Sequence, residues 1–213
     1  MPSVRCALIC VTYSQQTPLS NCETMRTRVA NTEDAPGIVD IYRPAITERA
    51  TSFEIEVPSA AEMAERIATT LERYPWLVCE DDSGLVGYAY ATRHRDRAAY
   101  QWCVEVSAYV RDGQHRRGVG RVLYLQLFDL LTAQGFHIAY AGITLPNDAS
   151  VAFHRAMGFV PVGTYRDIGY KFGKWHDVEW LVRRLRPLQD ACEPPIPFAE
   201  FRNTRECEIL VAS

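Results

Sequence analysis

The sequence lacks the common motifs of nucleotide, dinucleotide and metal binding. It contains no GxxxxGK[ST] segment, and its glycines do not form GxGxxG after a first βαβ strand with an acidic residue at the ribose position. Its seven cysteines are scattered and form no CxxC pair, which argues against a zinc site or a disulfide framework. We therefore predict reduced thiols, no bound metal and a cytoplasmic protein.

Long hydrophobic runs and a strong charge of one sign are also missing. The longest early apolar run, Cys6 to Val11, is far too short to span a membrane. A net charge of −3 and a pI near 6.0 argue against a general nucleic-acid binder. A hydrophobic content of 47% is ample for a core. These features argue against nucleic acid and membrane as partners.

The periodicity of the chain divides it into three parts. Residues 1–25 have little periodicity, and the RTRVANTEDAPGIVDIY segment after Met25 looks like a domain start. We expect residues 1–25 to be a poorly ordered N-terminal extension. Residues 26–187 form the predicted domain, and residues 188–213 form a C-terminal extension without a clear period.

Within the predicted domain the order of elements is β-α-α-β-β-β-α-β-α-β-β. The helices begin near Asp34, Ser59, Val119 and Asn147, each at a capping residue or glycine. The predicted strands are Arg26–Val29, Trp76–Glu80, Leu85–Tyr90, Tyr100–Val110, Ile138–Thr144, Phe159–Tyr165 and Asp177–Leu185, with 169–178 as a loop between the last two. Hairpins first and βα crossovers later imply an α/β fold, a mixed sheet with helices on both faces.

The segment from Tyr100 to Arg121 combines a strand with a basic, glycine-rich loop. Residues 100–110 alternate between an apolar and a mixed face, and Glu105 lies in the middle of the mixed face. A carboxylate there indicates a cleft, although a structural strand glutamate would give the same pattern. The loop precedes a helix, so free N–H groups and the helix dipole favour an anion, with charge from Arg116, Arg117 and Arg121. The alternative is a solvated basic turn.

Two further segments have both a functional and a structural interpretation. Phe53, in the connection between the first two helices, would be a ligand wall or a plug over the core. The cationic run 93–97 precedes the Glu105 strand, and one of its cations would bind a substrate carboxylate. Charge runs between strands are also commonly solvated loops.

Seven blocks, in order, resemble the GNAT superfamily of N-acyltransferases, and within it the phosphinothricin and methionine sulfoximine/sulfone acetyltransferases. They are TSFEIE, YPWLVCEDDSGLVGYAYA, RAAYQWCVEVSAYV, HRRGVGRVLY, AQGF, AGITLPNDASVAFHRAMGF and GYKFGKWHDV. The resemblance implies a GNAT fold, with a mostly antiparallel sheet splayed at its middle strands. It also implies acetyl-CoA as co-substrate, a small-molecule amine as acceptor, and commonly a homodimer.

The resemblance implies coenzyme contacts at the loop, at the splayed strand and at the start of the next helix. His115 stands where the superfamily usually has Gln or Arg, which leaves the backbone cradle unchanged. The implied coenzyme residues are Ala108, Tyr109, Val110, His115, Arg116, Arg117, Gly118, Val119, Gly120, Arg121, Asn147 and Ser150.

Glu105 matches the glutamate that the family uses as general base for the attacking amine. His154 stands where many members have a tyrosine that donates a proton to the leaving thiolate. A packing role for His154 is an alternative. Tyr124 is a rival donor, with a helix-core role as the favoured interpretation.

On the acceptor side, the resemblance implies that Arg97 binds the substrate carboxylate and that Phe53 forms an aromatic wall. The further acceptor candidates are Tyr100, Ser107 and Thr144. Arg93 and His94 replace the usual Pro and aromatic pair, so the accepted amino acid is left open. Two other functions are also left open: acetylation of a polyamine, aminoglycoside or protein N-terminus, and a non-catalytic acyl-CoA-binding module.

Overall fold

The structure is a computed structural model that describes residues 25–188 and 192–212. Most of the predicted N-terminal extension, residues 1–24, lies outside the described residues. The strands are β1 (Arg26–Val29), β2 (Trp76–Asp81), β3 (Gly84–Arg93), β4 (Cys103–Val110), β5 (Ile138–Thr144), β6 (Val160–Lys171) and β7 (Lys174–Arg184). The helices are α1 (Ala35–Thr47), α2 (Ala60–Arg73), α3 (Val119–Gln134), α4 (Asp148–Ala156), α5 (Phe198–Phe201) and α6 (Arg205–Ala212).

The seven strands form one mixed sheet in the order β1-β2-β3-β4-β5-β7-β6. All neighbouring strands are antiparallel except β4 and β5, which are parallel and are paired only at Cys103–Glu105 with Ile138–Tyr140. The predicted mostly antiparallel sheet, opened at its middle strands, is therefore confirmed.

Helices lie on both faces of this sheet, α1 on one and α3 on the other. The Tyr109 ring packs edge-on against Tyr42 of α1, with ring centroids 4.9 Å apart. On the opposite face, α3 lies so close to β3 that a Cβ on Gly87 would be 2.7 Å from Val119 Cγ1. A glycine at position 87 is thus required for the contact between helix and sheet.

The helix boundaries follow local capping chemistry. Ser59 and Glu62 form the predicted capping box of α2, and Asn147 caps α4. Gly135 ends α3 with a φ of +102°, in the left-handed region that glycine favours. The first helix was predicted too short: it begins after a 3₁₀ turn capped by Asn31 and continues to Thr47.

Three strand predictions were wrong in their bounds: β3 continues to Arg93 and does not end at Tyr90, and the other two concern β4 and the β6–β7 hairpin. The central strand begins at Cys103 and not at Tyr100, because Ala98–Tyr100 is a 3₁₀ turn. The Trp102 indole N–H donates to the Glu193 carbonyl at 2.9 Å. The predicted loop 169–178 is largely a β-hairpin. Phe172 and Gly173, at φ of +51° and +75°, form its two-residue turn, and positive φ at both positions matches the twist of paired strands.

The described part of the C-terminal segment packs on the domain. Phe198 and Phe201 are buried in the core, and the Gln134 side-chain amide donates to the Ile196 carbonyl at 2.8 Å. Helix α6 lies against α3 and β1. Among the helices of the described residues, none is long and apolar enough to cross a membrane.

Candidate active site

A gap opens between β4 and β5 beyond Glu105 because their pairing stops there. The Arg111 N–H donates to Val86 of β3 at 2.9 Å. Since the hydrogen-bonding direction of a strand alternates with period two, the polar backbone groups of Val106, Ala108 and Val110 face the gap. This edge offers a linear ligand the same hydrogen bonds that a neighbouring strand would form.

The loop before α3 forms a backbone anion cradle at one end of this gap. Arg116 and Gly118 have left-handed backbone conformations, with φ of +63° and +89°. Where left-handed and right-handed residues alternate, successive backbone N–H groups point into the same concavity. The first N–H groups of α3 have no acceptor within the helix and carry its positive dipole end. Space around the Gly118 Cα is open, so a phosphate reaches the backbone directly.

Gap and cradle form one continuous groove of about 800 Å³. Its two long walls are the open edge of β4 and residues 141–144 of β5, and α3 and α4 close its ends. A cradle for phosphates joined to an extended strand edge fits an acyl-coenzyme A, which carries a diphosphate and a linear amide-containing arm.

Most of the residues predicted to bind the coenzyme line this groove. They are Ala108, Tyr109, Val110, His115, Arg116, Gly118, Val119, Gly120, Arg121, Asn147 and Ser150. Arg117 is not among the lining residues. Its guanidinium donates to Asp81 at 3.0 Å and to the Gln114 side chain, so it ties the loop to the β2–β3 turn.

Glu105 lies on β4 at the point where the gap begins, on the face shared with α1. Its side chain is 32% exposed, and its Oε1 is 2.9 Å from His94 Nδ1. The His94 ring stacks on Tyr140 of β5, with centroids 4.3 Å apart and planes 10° from parallel. A carboxylate that is half-exposed and held at one oxygen has its second oxygen available to a ligand.

Tyr124 and His154 meet at the wall of the groove formed by α3 and α4. The Tyr124 hydroxyl is 3.0 Å from His154 Nε2, and His154 Nδ1 is 2.8 Å from the Ser150 carbonyl oxygen. Since only a ring N–H satisfies that carbonyl, the network assigns the proton to Nδ1, and the hydroxyl donates to Nε2. Burial lowers the pKa of His154 below its ordinary value and raises that of Tyr124, so both are neutral near pH 7.

On the α1 face, Tyr90 lies near Glu105 and near a second polar network around Glu54. Its hydroxyl bonds to Ser107, and burial raises its pKa, with further contributions from the negative charges of Glu54 and Glu105. Glu54 in turn accepts hydrogen bonds from Arg66 at 2.8 Å and from the Tyr42 hydroxyl at 3.0 Å. These side chains form a polar wall on the same side of the sheet as Glu105.

Phe53 is held against the β6–β7 hairpin by its neighbours. The Lys171 ammonium is buried and donates to the carbonyl oxygens of Ser52 and Glu54, at 2.7 and 2.8 Å. Burial lowers the pKa of Lys171. The Phe53 ring, 38% exposed, lies over Gly169, where a Cβ would overlap it. Lys171 thus holds the backbone on either side of Phe53, while the Phe53 ring rests on Gly169 and is exposed on its outer side.

The remaining acceptor candidates lie in two places. Arg97 is exposed at the start of the 3₁₀ turn that contains Tyr100, and the Tyr100 ring is 6.3 Å from the His94 ring. Ser107 and Thr144 line the coenzyme groove, on its β4 and β5 walls. The structure therefore brings Tyr100 and Ser107 close to Glu105 through shared neighbours, and places Thr144 farther along β5.

The sequence motifs did not predict that His94, Glu54 and Lys171 belong to the site. His94 had a signal, since it stands where the resembled family usually has an aromatic residue. Lys171 lies within the quoted GYKFGKWHDV block. Its contacts join residues 117 and 119 positions apart in the chain, which no local pattern reveals.

Comparison with known proteins agrees with this geometry. The model of the acetyltransferase (GNAT) domain family matches residues 27–180. A phosphinothricin N-acetyltransferase of Streptomyces viridochromogenes is 40% identical over 156 residues, which cover 73% of this chain and 85% of that protein. An L-methionine sulfoximine/L-methionine sulfone acetyltransferase of Pseudomonas paraeruginosa is 36% identical over 166 residues, which cover 77% and 96%.

The crystal structure of a GNAT superfamily phosphinothricin acetyltransferase from Sinorhizobium meliloti, in complex with acetyl-CoA, is similar at a TM-score of 0.75. Its sequence is 34% identical, and the match covers 82% of this chain and 98% of that one. An opened mixed sheet with an anion cradle at a helix start, together with these matches, defines an acetyl-CoA-dependent N-acetyltransferase. The chain belongs to the GNAT acetyltransferase family.

Proposed function

We propose that this enzyme transfers the acetyl group of acetyl-CoA to the α-amine of a small amino-acid-like acceptor, of the phosphinothricin or methionine sulfoximine/sulfone type. The relatives that bear those names match most of the chain, at 40% and 36% identity. The observation that carries the proposal is the position of Glu105. Its carboxylate lies where the β4–β5 gap opens, between the coenzyme groove and the polar wall on the α1 face.

The proposed reaction is direct attack of the amine, with Glu105 as general base. Acetyl-CoA supplies an acetyl thioester, and an α-ammonium must lose a proton before its nitrogen attacks. The free oxygen of Glu105 accepts that proton, directly or through a water molecule. No residue of the chain then needs to carry the acetyl group.

The departing thiolate requires a proton donor, and Tyr124 is the better candidate of the two predicted. In the tautomer that the network favours, the only ring proton of His154 is committed to the Ser150 carbonyl. Tyr124 lines the same groove, and its hydroxyl proton, which at rest is donated to His154 Nε2, transfers to the thiolate when the sulfur replaces His154 as its acceptor. His154 then serves to orient that hydroxyl.

An anionic acceptor fits the cationic segment before β4. Arg97 lies on the turn that contains Tyr100, and the Tyr100 ring packs near His94 beside Glu105. We assign Arg97 to the acceptor carboxylate and Phe53 to its apolar side. A guanidinium matches a carboxylate in a two-point contact.

The test is a thiol-release assay with acetyl-CoA across amino acids, phosphinothricin, methionine sulfone, a polyamine and an aminoglycoside. We expect amino-acid-like acceptors to react and Glu105→Gln to lower kcat by about 10²–10⁴-fold, the range for loss of a general base. Coenzyme A binding, measured by calorimetry, should stay unchanged. Full activity of Glu105→Gln would exclude Glu105 as the base.

The same panel tests Arg97. Arg97→Ala should raise the KM of an anionic amino-acid acceptor and leave the KM of acetyl-CoA unchanged. Arg95→Ala is the matched control, because Arg95 is also exposed and lies in the same cationic run. A change confined to acetyl-CoA would contradict the assignment, as would a preference for polyamines.

We also propose that the enzyme is a homodimer in the cytoplasm. The β6–β7 hairpin is at the edge of the sheet, and its apolar side chains are exposed. They are Val160, Val162, Tyr165, Ile168, Tyr170, Phe172 and Trp175. Exposed apolar surface of this extent is typical of interaction sites. Cys79, Cys103 and Cys207 are thiols, as expected in a reducing compartment.

A further inference from the structure

His94 is the one imidazole in contact with Glu105 in the part of the chain that the structure describes. Its Nδ1 is 2.9 Å from Glu105 Oε1, and its side chain is only 12% exposed. Thr92 is the residue opposite Glu105 in the β3–β4 ladder, and His94 follows two residues later, just after β3 ends at Arg93. The contact therefore joins the end of β3 to the middle of the site.

Aromatic rings hold the His94 ring in a single orientation. Tyr140 stacks on its face at 4.3 Å, and Trp180 and Tyr100 meet it edge-on at 5.9 and 6.3 Å. A ring packed in this way loses little further entropy when it forms a hydrogen bond. The partner carboxylate is then fixed by a rigid donor, whereas Glu105 alone would sample several rotamers.

We propose that His94 is a positioning residue for the general base, which it holds by donating Nδ1–H to Glu105 Oε1. This inference rests on the proposed function of Glu105. Because Oε1 is occupied by His94, Oε2 is the oxygen that accepts the proton from the acceptor amine. One N–H bond of the ammonium breaks and one O–H bond forms at Oε2, while the Nδ1–H bond remains intact.

The surroundings of His94 determine which substitutions are informative. The titratable groups that face its ring are Glu105 on β4, Tyr140 on β5 and Tyr100 on the turn, and Cys103 lies beside Tyr140. A phenylalanine keeps the stacking on Tyr140 and removes the donor. An asparagine loses the stacking, but its amide N–H₂ lies close to the position of Nδ1.

The experiment compares His94→Phe with His94→Asn in steady-state kinetics, using an acceptor from the panel. We expect His94→Phe to lower kcat about tenfold, the effect of losing one hydrogen bond to a charged group. The KM of acetyl-CoA should not change. His94→Asn should recover most of kcat, which a packing role for the ring would not allow. His94→Leu removes the donor with a smaller side chain and should behave as His94→Phe does.

A double-mutant cycle with Glu105→Gln tests the coupling. If His94 acts through Glu105, His94→Phe should cause little further decrease in kcat when Glu105 is already replaced by glutamine. Wild-type kcat in His94→Phe and His94→Leu would overturn the inference, as would an undiminished tenfold loss in the Glu105→Gln background or no recovery in His94→Asn. Failure of the proposed function is a different result: Glu105→Gln alone would then keep full activity.

Each variant is first checked for coenzyme A affinity and for its thermal unfolding midpoint. His94 is not among the residues that line the coenzyme groove. An unchanged affinity for coenzyme A shows that a variant is folded, and its kinetic constants then test the positioning role of His94.

Discussion

His154 illustrates how burial of one side chain sets both its chemistry and its pH response. The ring is 7% exposed, and burial lowers its pKa below the ordinary value of 6.5. In the folded enzyme it is therefore a neutral acceptor for the Tyr124 hydroxyl at pH 7. In the unfolded chain the same ring takes up a proton as the pH falls through about 6.5.

The expected consequence is a loss of stability at acidic pH. Between its unfolded pKa and its lower folded pKa, the unfolded state binds more protons at His154, so the free energy of unfolding falls as the pH falls. Each unit of lowering corresponds to about 1.4 kcal/mol. Urea denaturation at pH 8, 6 and 5 should show a smaller decrease for His154→Gln than for the wild type. Equal decreases would contradict this role.

At the scale of elements, the α1–α2 connection depends on the β6–β7 hairpin for its position. Lys171 binds the carbonyl groups on either side of Phe53, and Gly169 leaves room for the Phe53 ring. The hairpin thereby sets the position of Phe53, the proposed wall of the acceptor site, although the two segments are far apart in the chain.

Gly169→Ala tests this dependence. The new Cβ would overlap the end of the Phe53 ring, which is partly exposed and free to move outward, so the acceptor KM should rise severalfold with little change in stability. Gly163→Ala is the matched control on the same strand, because a Cβ there meets nothing within 4 Å. The KM of acetyl-CoA should be the same in both variants. An unchanged acceptor KM in Gly169→Ala would separate Phe53 from the acceptor site.

The bounds of these elements show where local pattern was sufficient. The capping box at Ser59 predicted the start of α2, and the glycine at position 135 predicted the end of α3, because capping involves only neighbouring residues. The β6–β7 hairpin was missed because its many aromatic residues and glycines resemble a loop until the pairing of distant residues is known. The start of β4 was also misplaced, because the alternation of side chains continues back to Tyr100, whereas Ala98–Tyr100 is a 3₁₀ turn outside the β3–β4 ladder.

At the scale of the whole molecule, the exposed apolar side chains of the β6–β7 hairpin form the surface through which we expect two copies of the chain to associate. Trp175 and Tyr170 are 61% and 60% exposed, with their rings packed on each other at 5.4 Å. An edge strand with large apolar side chains favours association of two copies.

We expect light scattering on the purified chain to give the mass of a dimer. Trp175→Lys should reduce that mass to the monomer's, because a charge buried in an apolar interface is costly. Ile209→Lys is the control, since Ile209 is equally exposed, at 60%, but lies on α6. A monomeric wild type at concentrations of tens of micromolar would contradict the proposed dimer.

The sequence alone determined the order of elements within residues 26–187, the position of Glu105 on β4 and the glycine-rich cradle before α3. These features depend on periodicity, capping and backbone conformation, which are local. Only the tertiary structure decided that Arg117 bonds Asp81 outside the groove and that His94 bonds Glu105. Such contacts depend on the register of β3, β4 and β5, and that register is set by packing of the whole sheet.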